Sequence, residues 1–152
     1  MSKFKNLLNI VEENISKLSE FIERKNISIN KEIESESFDF WGDKIEINKA
    51  IMILLINTIN ATKAGGEILI NISTDGSFLK CCVSTNGKNY SDNLKRMILE
   101  GITTNDGLDY SVGDGVFLYL VKLIINAHDG KVYINNKADG GSVFCIELEK
   151  IL

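Results

Sequence analysis

The hydrophobic pattern predicts three principal helices. Over residues 3–24, apolar residues recur at intervals of three and four, which is typical of an amphipathic helix. Asp43 is predicted to start a second helix, because Asp43 and Glu46 have the spacing of a capping box. A third helix is predicted to end at Gly130. Its apolar stripe consists of Phe117, Leu120, Val121, Ile124, Ile125 and His128.

Alternating patterns predict the strands. Residues 27–40 alternate weakly and predict one or two short strands, while residues 67–84 and 131–149 predict two hairpins. A short helix over 92–99 and a loop over 101–112 separate the hairpins from the last long helix. The order predicts an α+β fold, a two-layer α/β sandwich whose mixed sheet of about five strands is covered on one face by three helices.

Composition limits the class of protein. A chain of 152 residues that is 44% hydrophobic and 25% charged allows one globular domain, which we divide into an N-terminal helix at 1–25 and a domain at 26–152. The net charge of −4 argues against nucleic acid as a partner. The longest apolar run, Ile51–Ile56, is far shorter than the roughly 20 residues that a membrane span needs.

The cysteines and the N-terminus suggest a compartment. Three cysteines, with Cys81 and Cys82 adjacent, do not form a disulfide framework, and we expect Cys81 and Cys82 to be buried or half-buried small apolar residues of a strand. Lys3 and Lys5 lead into an amphipathic segment, which is unlike a secretory signal. We therefore expect a cytoplasmic protein.

Several common chemistries have no matching motif. The sequence contains no phosphate-binding Gly-x4-Gly-Lys-Ser/Thr loop and no Cys/His cluster with the spacing of a metal site. The single histidine, His128, has no recognisable nucleophile partner and is interpreted as a helix-end group without catalytic function. We predict no catalytic residue in this chain.

An ordered set of polar and glycine residues remains. Asn57 lies within the second helix, eight residues before Gly65-Gly66, Thr85 and Gly87 follow a strand, and Gly113 and Gly115 precede the last helix. With this set, residues 3–149 resemble the catalytic ATP-binding domain of sensor histidine kinases, the Bergerat-type (GHKL) ATPase fold. The resemblance implies that Asn57 coordinates Mg²⁺ through the nucleotide, and that Thr85, Gly87, Gly113 and Gly115 belong to the nucleotide site.

Two departures from the family pattern predict a degenerate site. The family has an Asp that accepts a hydrogen bond from the adenine amino group, whereas this chain has Thr85. The third glycine of the second Gly-rich box is Phe117, which lies on the predicted core stripe and is expected to fill the vacated pocket. Asn105 also replaces the Lys that follows Thr103-Thr104 in related kinases. We therefore expect no cofactor, and ATP with Mg²⁺ only if the site is still active.

Alphaproteobacterial histidine phosphotransferases, which have lost ATP binding, show similar departures. This resemblance implies a two-component phosphorelay protein that acts as a phosphotransfer or docking module for a response regulator or a histidine kinase. The alternative is a functional ATP-binding domain, a transferase that works with a separate His-bearing domain. A third and weaker hypothesis is an anti-sigma-factor type of regulator. The stripe of the N-terminal helix further predicts a homodimer through residues 3–15, because Phe4 to Val11 are expected to project from the domain.

Overall fold

The computed structural model of the protein describes residues 4–34, 38–86, 92–100, 112–138 and 140–151. The predicted loop at 101–112 falls almost entirely outside these residues, as do Gly87, Thr103-Thr104 and the turn residue Asp139. The elements are, in chain order, β1 (Phe4–Asn6), α1 (Leu7–Lys17), α2 (Ser19–Arg24), β2 (Ser28–Ile33), β3 (Asp39–Trp41), α3 (Lys44–Ala61), β4 (Glu67–Asp75), β5 (Phe78–Thr85), α4 (Asp92–Glu100), α5 (Val112–Ala127), β6 (Lys131–Asn136) and β7 (Ser142–Glu149).

The main sheet has five strands in the order β2-β4-β5-β7-β6. β2 and β4 are parallel, and the other neighbouring pairs are antiparallel, so the sheet is mixed as predicted. Strand alternation gives it two different faces, because Ile68, Ile70 and Ile72 of β4 are fully buried while Asn71 between them is half-buried. The helices cover the apolar face. This arrangement confirms the predicted α+β sandwich, to which α4 adds a shorter helix.

The predicted continuous helix over residues 3–24 is wrong. Phe4–Asn6 form a short strand that pairs with Asp39–Trp41, and Asn6 caps α1 by accepting a hydrogen bond from the backbone N–H of Asn9 at 3.2 Å. The helix is then interrupted at Leu18, which separates α1 from α2. Hydrophobic periodicity continues through this interruption, because Leu18 is itself buried in the core.

The apolar side of α1 packs inside its own domain. Leu7, Ile10 and Val11 are at most 2% exposed, and Asn14 of the same face donates a hydrogen bond to Asn48 of α3 at 2.9 Å. The reason given for a homodimer through residues 3–15, an unpaired apolar stripe, is therefore wrong for these residues.

Two polar groups fix the ends of α3. The Asp43 carboxylate accepts hydrogen bonds from the N–H groups of Ile45 and Glu46, which confirms the predicted cap. At the other end, the Lys25 ammonium donates to the carbonyls of Ile59 and Thr62 at 2.9 and 2.6 Å. A cation at the C-terminal end of a helix also interacts favourably with the negative end of the helix dipole.

The C-terminal end of α5 differs in detail from the prediction. Asp129, rather than Gly130, has the left-handed conformation, with φ of 58°. The N–H of Gly130 bonds to the carbonyl of Ile125 at 2.9 Å, which is the Schellman pattern. Gly130 is still required, because a side chain there would collide with the carbonyl of Glu147.

A disulfide joins Cys82 of β5 to Cys145 of β7. The expectation that the cysteines form no disulfide is therefore wrong for this pair, whereas Cys81 is a buried free thiol as expected. The two partners are 63 residues apart in sequence and become neighbours only because the β5–β7 register pairs them.

Candidate functional site

Buried polar side chains gather where α3 ends, β5 ends and β7 begins. We call this group the polar cluster; it comprises Thr58, Thr62, Thr85 and Ser142, each at most 4% exposed. Thr85 and Ser142 are direct partners in the β5–β7 register. The inward positions that precede Thr85 on β5 and follow Ser142 on β7 are apolar, so the cluster is a polar end on an apolar core. Buried hydroxyl groups need hydrogen-bond partners, which constrains their orientation.

The hydroxyl protons of Thr62 and Thr85 are assigned by their partners. Thr62 Oγ1 lies 2.6 Å from the carbonyl oxygen of Thr58, which can only accept. The single proton of Thr62 therefore points to Thr58. Thr62 Oγ1 also lies 2.6 Å from Thr85 Oγ1, so in this arrangement Thr85 donates to Thr62. Thr85 Oγ1 can then interact with a ligand only as an acceptor.

Gly141 allows β7 to start close to the end of β5. Its φ is 89°, and a side chain at this position would collide with the carbonyl of Thr85. Because only glycine satisfies both requirements, the Gly140-Gly141 turn positions Ser142 directly opposite Thr85. The sequence prediction did not include Ser142 or Thr62. One signal was present: Ser142 is the polar first member of the inward series that continues with Phe144, Ile146 and Leu148.

Asn57 lies on α3, one residue before Thr58, and is half-buried. Its Nδ2 atom donates to the carbonyl of Ile53 at 3.4 Å, and among the described residues no hydrogen bond reaches its Oδ1 atom. An amide oxygen is a hard ligand of the kind that Mg²⁺ accepts, and Mg²⁺ usually takes few protein ligands beside water and phosphate. The Asn57 side chain therefore fits the metal-binding role that the resemblance implies.

The glycine-rich segments are only partly described. Gly113 and Gly115 lie in the first turns of α5, and Gly87 lies outside the described residues. The expectation for Phe117 is wrong, because its side chain is 54% exposed and does not fill a core pocket. The buried face of α5 instead consists of Leu118, Val121, Ile124 and Ile125.

The fold and the cluster correspond to a known family. A family model described as "Histidine kinase-, DNA gyrase B-, and HSP90-like ATPase" matches residues 42–151. The chain belongs to this family. Its fold is that of the catalytic domain of sensor histidine kinases, which confirms the resemblance based on the sequence.

The chain covers very different shares of the length of individual relatives. Histidine kinase P4 of Formosa agariphila is 24% identical over 148 residues, which are 94% of this chain and 11% of that protein. The nucleotide-free catalytic domain of histidine kinase ThkA superposes with a TM-score of 0.82 at 26% identity and covers 98% of both chains. ThkA in complex with the response regulator TrrA matches with a TM-score of 0.78 at 26% identity, over 97% of this chain and 42% of that one.

His128 holds two parts of this ATPase-family domain together. The backbone N–H of Asp43 points to His128 Nε2 at 3.1 Å, and His128 Nδ1 lies 2.9 Å from the carbonyl of Ile124. Since an N–H can only donate and a carbonyl can only accept, the ring proton is assigned to Nδ1. Both ring nitrogens are therefore engaged by groups of the domain itself. Gly42 makes room for the ring, because a side chain there would lie 2.5 Å from His128 Cδ2.

Two further expectations concern the environment of the domain. None of the helices in the described part of the chain is long and apolar enough to cross a membrane. Among the same residues, no group of three or more His, Cys, Asp or Glu side chains is placed to hold a metal ion.

Proposed function

We propose that this chain is a module of a two-component phosphorelay whose kinase-type nucleotide site is degenerate, and that it acts by docking to a response regulator or a histidine kinase. The observation that supports this most directly is Thr85. Its hydroxyl is buried, uncharged and tied to Thr62, at the position where the resemblance implies a carboxylate. The proposal assigns the domain to the cytoplasm.

The exchange of a carboxylate for a hydroxyl has an approximate energetic cost. A hydrogen bond to a charged group contributes roughly 1.5–3 kcal/mol, whereas one to a neutral group contributes about 1 kcal/mol. The difference corresponds to about a tenfold loss of affinity, or somewhat more. Thr85 can accept a bond from an adenine amino group, so the proposal predicts weak binding of ATP rather than a blocked site.

The other site residues would keep their places around a bound nucleotide. Asn57 would contribute one oxygen ligand to Mg²⁺, and the first turns of α5, with Gly113 and Gly115, would present backbone N–H groups to phosphate. ATP, when bound, supplies the phosphoryl group of a kinase reaction. The residues of this chain bind and orient; the proposal gives none of them a covalent role.

The acceptor of phosphate must come from elsewhere. The sequence has one histidine, and both of its ring nitrogens are engaged by Asp43 and Ile124. A phosphoacceptor imidazole would therefore be supplied by another domain or another chain. Histidine kinase ThkA forms a complex with the response regulator TrrA, and we extend docking of a response regulator to this chain as a proposal.

One observation favours a second candidate, a functional ATP-binding domain. Phe117 was expected to occupy the nucleotide pocket, yet its ring is 54% exposed. The Phe117 side chain thus does not fill the nucleotide pocket, although this was one of the two departures on which the degenerate site was predicted. Together with the Asn57 Oδ1 atom and the acceptor orientation of Thr85, it would allow a working site with reduced affinity.

Calorimetric titration with Mg-ATP separates the two candidates. A degenerate site is expected to give a dissociation constant weaker than about 1 mM, which corresponds to roughly 4 kcal/mol of binding free energy. Asn57→Ala serves as the control, because loss of the metal ligand should remove any heat that comes from this site. A micromolar constant that depends on Asn57 would reject the degenerate site and support the second candidate.

Docking requires a separate measurement. Purified receiver domains of response regulators from the same genome can be tested for equilibrium binding to the full chain in the absence of nucleotide. The proposal expects at least one receiver domain to bind without ATP. If every receiver domain requires Mg-ATP for binding, or none binds under either condition, the docking role is rejected.

A further inference from the structure

The face of the sheet opposite the helices carries a row of residues that crosses all five strands. In register, this row reads Glu32, Asn71, Cys82, Cys145 and Tyr133. Glu32, Asn71 and Tyr133 are exposed or half-buried, and the Asn71 amide donates to the Glu32 carboxylate at 3.1 Å. The disulfide therefore lies in the middle of an open polar face rather than in the apolar core.

The two sulfur atoms of the pair differ in access. Cys82 is half-buried, whereas Cys145 is only 7% exposed. A dissolved thiol would thus reach Cys82 first. Lys80 lies on the same face, two residues before Cys82, and its ammonium is 5.4 Å from the centre of the Tyr133 ring, next to Cys145. A nearby cation favours the thiolate form, which is the reactive form of cysteine.

We propose that Cys82 and Cys145 form a reversible thiol–disulfide pair that locks β5 to β7 beside the polar cluster. The reaction partner is a small-molecule disulfide in one direction and a small thiol in the other. This inference goes beyond the proposed function and does not depend on nucleotide binding.

The exchange is a balanced two-electron reaction. The Cys82 thiolate attacks one sulfur of a small disulfide, forms a mixed disulfide and releases the first small thiolate. The Cys145 thiolate then attacks Cys82 Sγ, closes the protein disulfide and releases the second small thiolate. The two protons of the protein thiols end on these two leaving groups. One small disulfide is thereby reduced to two thiols while the protein pair is oxidised.

The position of the bond gives it a structural consequence. Thr85 lies three residues after Cys82, and Ser142 lies three residues before Cys145, so the bond clamps the same two strands that face each other at the polar cluster. Oxidation is expected to hold these strand ends together more firmly. Reduction removes this covalent link and leaves the non-covalent contacts of the two strands.

Cys81 provides an internal control. It is adjacent to Cys82 but points to the opposite face of the strand, where it is fully buried. Burial raises the pKa of the Cys81 thiol to about 12. This thiol should remain unreactive in the folded protein in either redox state.

Alkylation with iodoacetamide, read by intact mass for the number of labels and by tandem mass spectrometry of peptides for their positions, tests the exchange on the full chain. After dithiothreitol and its removal, Cys82 should be labelled under native conditions, and Cys81 only in denaturant. After incubation with glutathione disulfide, the native chain should take no label. The proposal is overturned if glutathione disulfide does not protect Cys82, or if dithiothreitol cannot open the bond without denaturant.

Thermal unfolding tests the clamp. A cross-link over 63 residues should raise the Tm of the oxidised chain by roughly 10 °C over the reduced chain. The difference should persist in Cys81→Ser and disappear in Cys145→Ser. Equal Tm values for the oxidised and reduced wild-type chain would contradict the clamp. This comparison uses only the wild-type chain, so it does not depend on whether a variant folds.

Discussion

At the scale of single residues, Thr85 and His128 have roles that follow from where one proton lies. The Thr85 proton is directed to Thr62, so this hydroxyl has no proton to donate to a ligand. The His128 proton is directed to the carbonyl of Ile124, which leaves Nε2 to accept from the N–H of Asp43. Each side chain thus satisfies a buried group of the domain, and neither is left with a proton to transfer.

Replacement of His128 by Ala should destabilise the domain. The change leaves the Asp43 N–H without its acceptor and opens a space beside Gly42, so we expect a loss of about 1–3 kcal/mol in the free energy of unfolding. Urea denaturation measures it. Asn126→Ala, at an exposed position of the same helix, is the matched control and should change stability by less than about 0.5 kcal/mol. Equal effects of the two changes would argue against the structural role of His128.

Only some of the site residues were predictable from the sequence. Asn57 and Thr85 occupy positions in a recognisable order of motifs, which is why the sequence proposes them as site residues. Thr62 and Ser142 were missed, because their proximity to Thr85 depends on how α3 and β7 pack against β5. For Phe117, helical spacing predicted a core position, but Leu118 is the buried residue of that turn.

At the scale of elements, strand alternation and helix caps were more informative than helix length. The N-cap of α3 at Asp43 and the two hairpins follow from local residue types and were predicted. The three-residue strand β1 and the interruption at Leu18 were not, because β1 exists only through its pairing with β3. The hydrophobic periodicity of one segment gives no information about its pairing with a distant segment such as β3.

The Gly140-Gly141 turn sets the distance between β5 and β7, and Gly141→Ala tests this. The added methyl group would meet the carbonyl of Thr85 at a φ of 89° and should displace the start of β7. We expect a loss of at least about 3 kcal/mol in stability, from backbone strain plus the collision. Gly76→Ala is the control, because its φ is 61° but nothing lies within 4 Å. It should lose only about 1–2 kcal/mol, and an equal loss at both positions would contradict the close approach.

At the scale of the whole molecule, one apolar layer of helices lies on one face of a mixed sheet, and α1 belongs to that layer. The sequence predicted the layer because each element carries its own apolar face. It did not predict that α1 completes the core, since a periodic stripe looks the same whether a domain or a partner covers it. The Cys82–Cys145 pairing was missed for a similar reason, because strand register is a property of the assembled sheet.

If α1 completes the core, Ile10→Ala should lower the free energy of unfolding by about 2–5 kcal/mol. Ile10 is 2% exposed, while Glu13 on the same helix is exposed, so Glu13→Ala is the matched control with an expected change below about 0.5 kcal/mol. Light scattering should show a monomer for both variants and for the wild type. A wild-type dimer that Ile10→Ala dissociates without loss of monomer stability would restore the interface at residues 3–15.

The most direct test of the degenerate nucleotide site is a Mg-ATP titration of Thr85→Asp against Thr85→Asn. Both side chains have nearly the same size, but only Asp restores a charged acceptor, and urea denaturation verifies that each variant is folded. We predict that Thr85→Asp binds about tenfold more tightly than the wild type, or somewhat more, and that Thr85→Asn shows no such gain. A wild-type dissociation constant in the micromolar range, or a folded Thr85→Asp variant that binds no better than Thr85→Asn, would contradict the account.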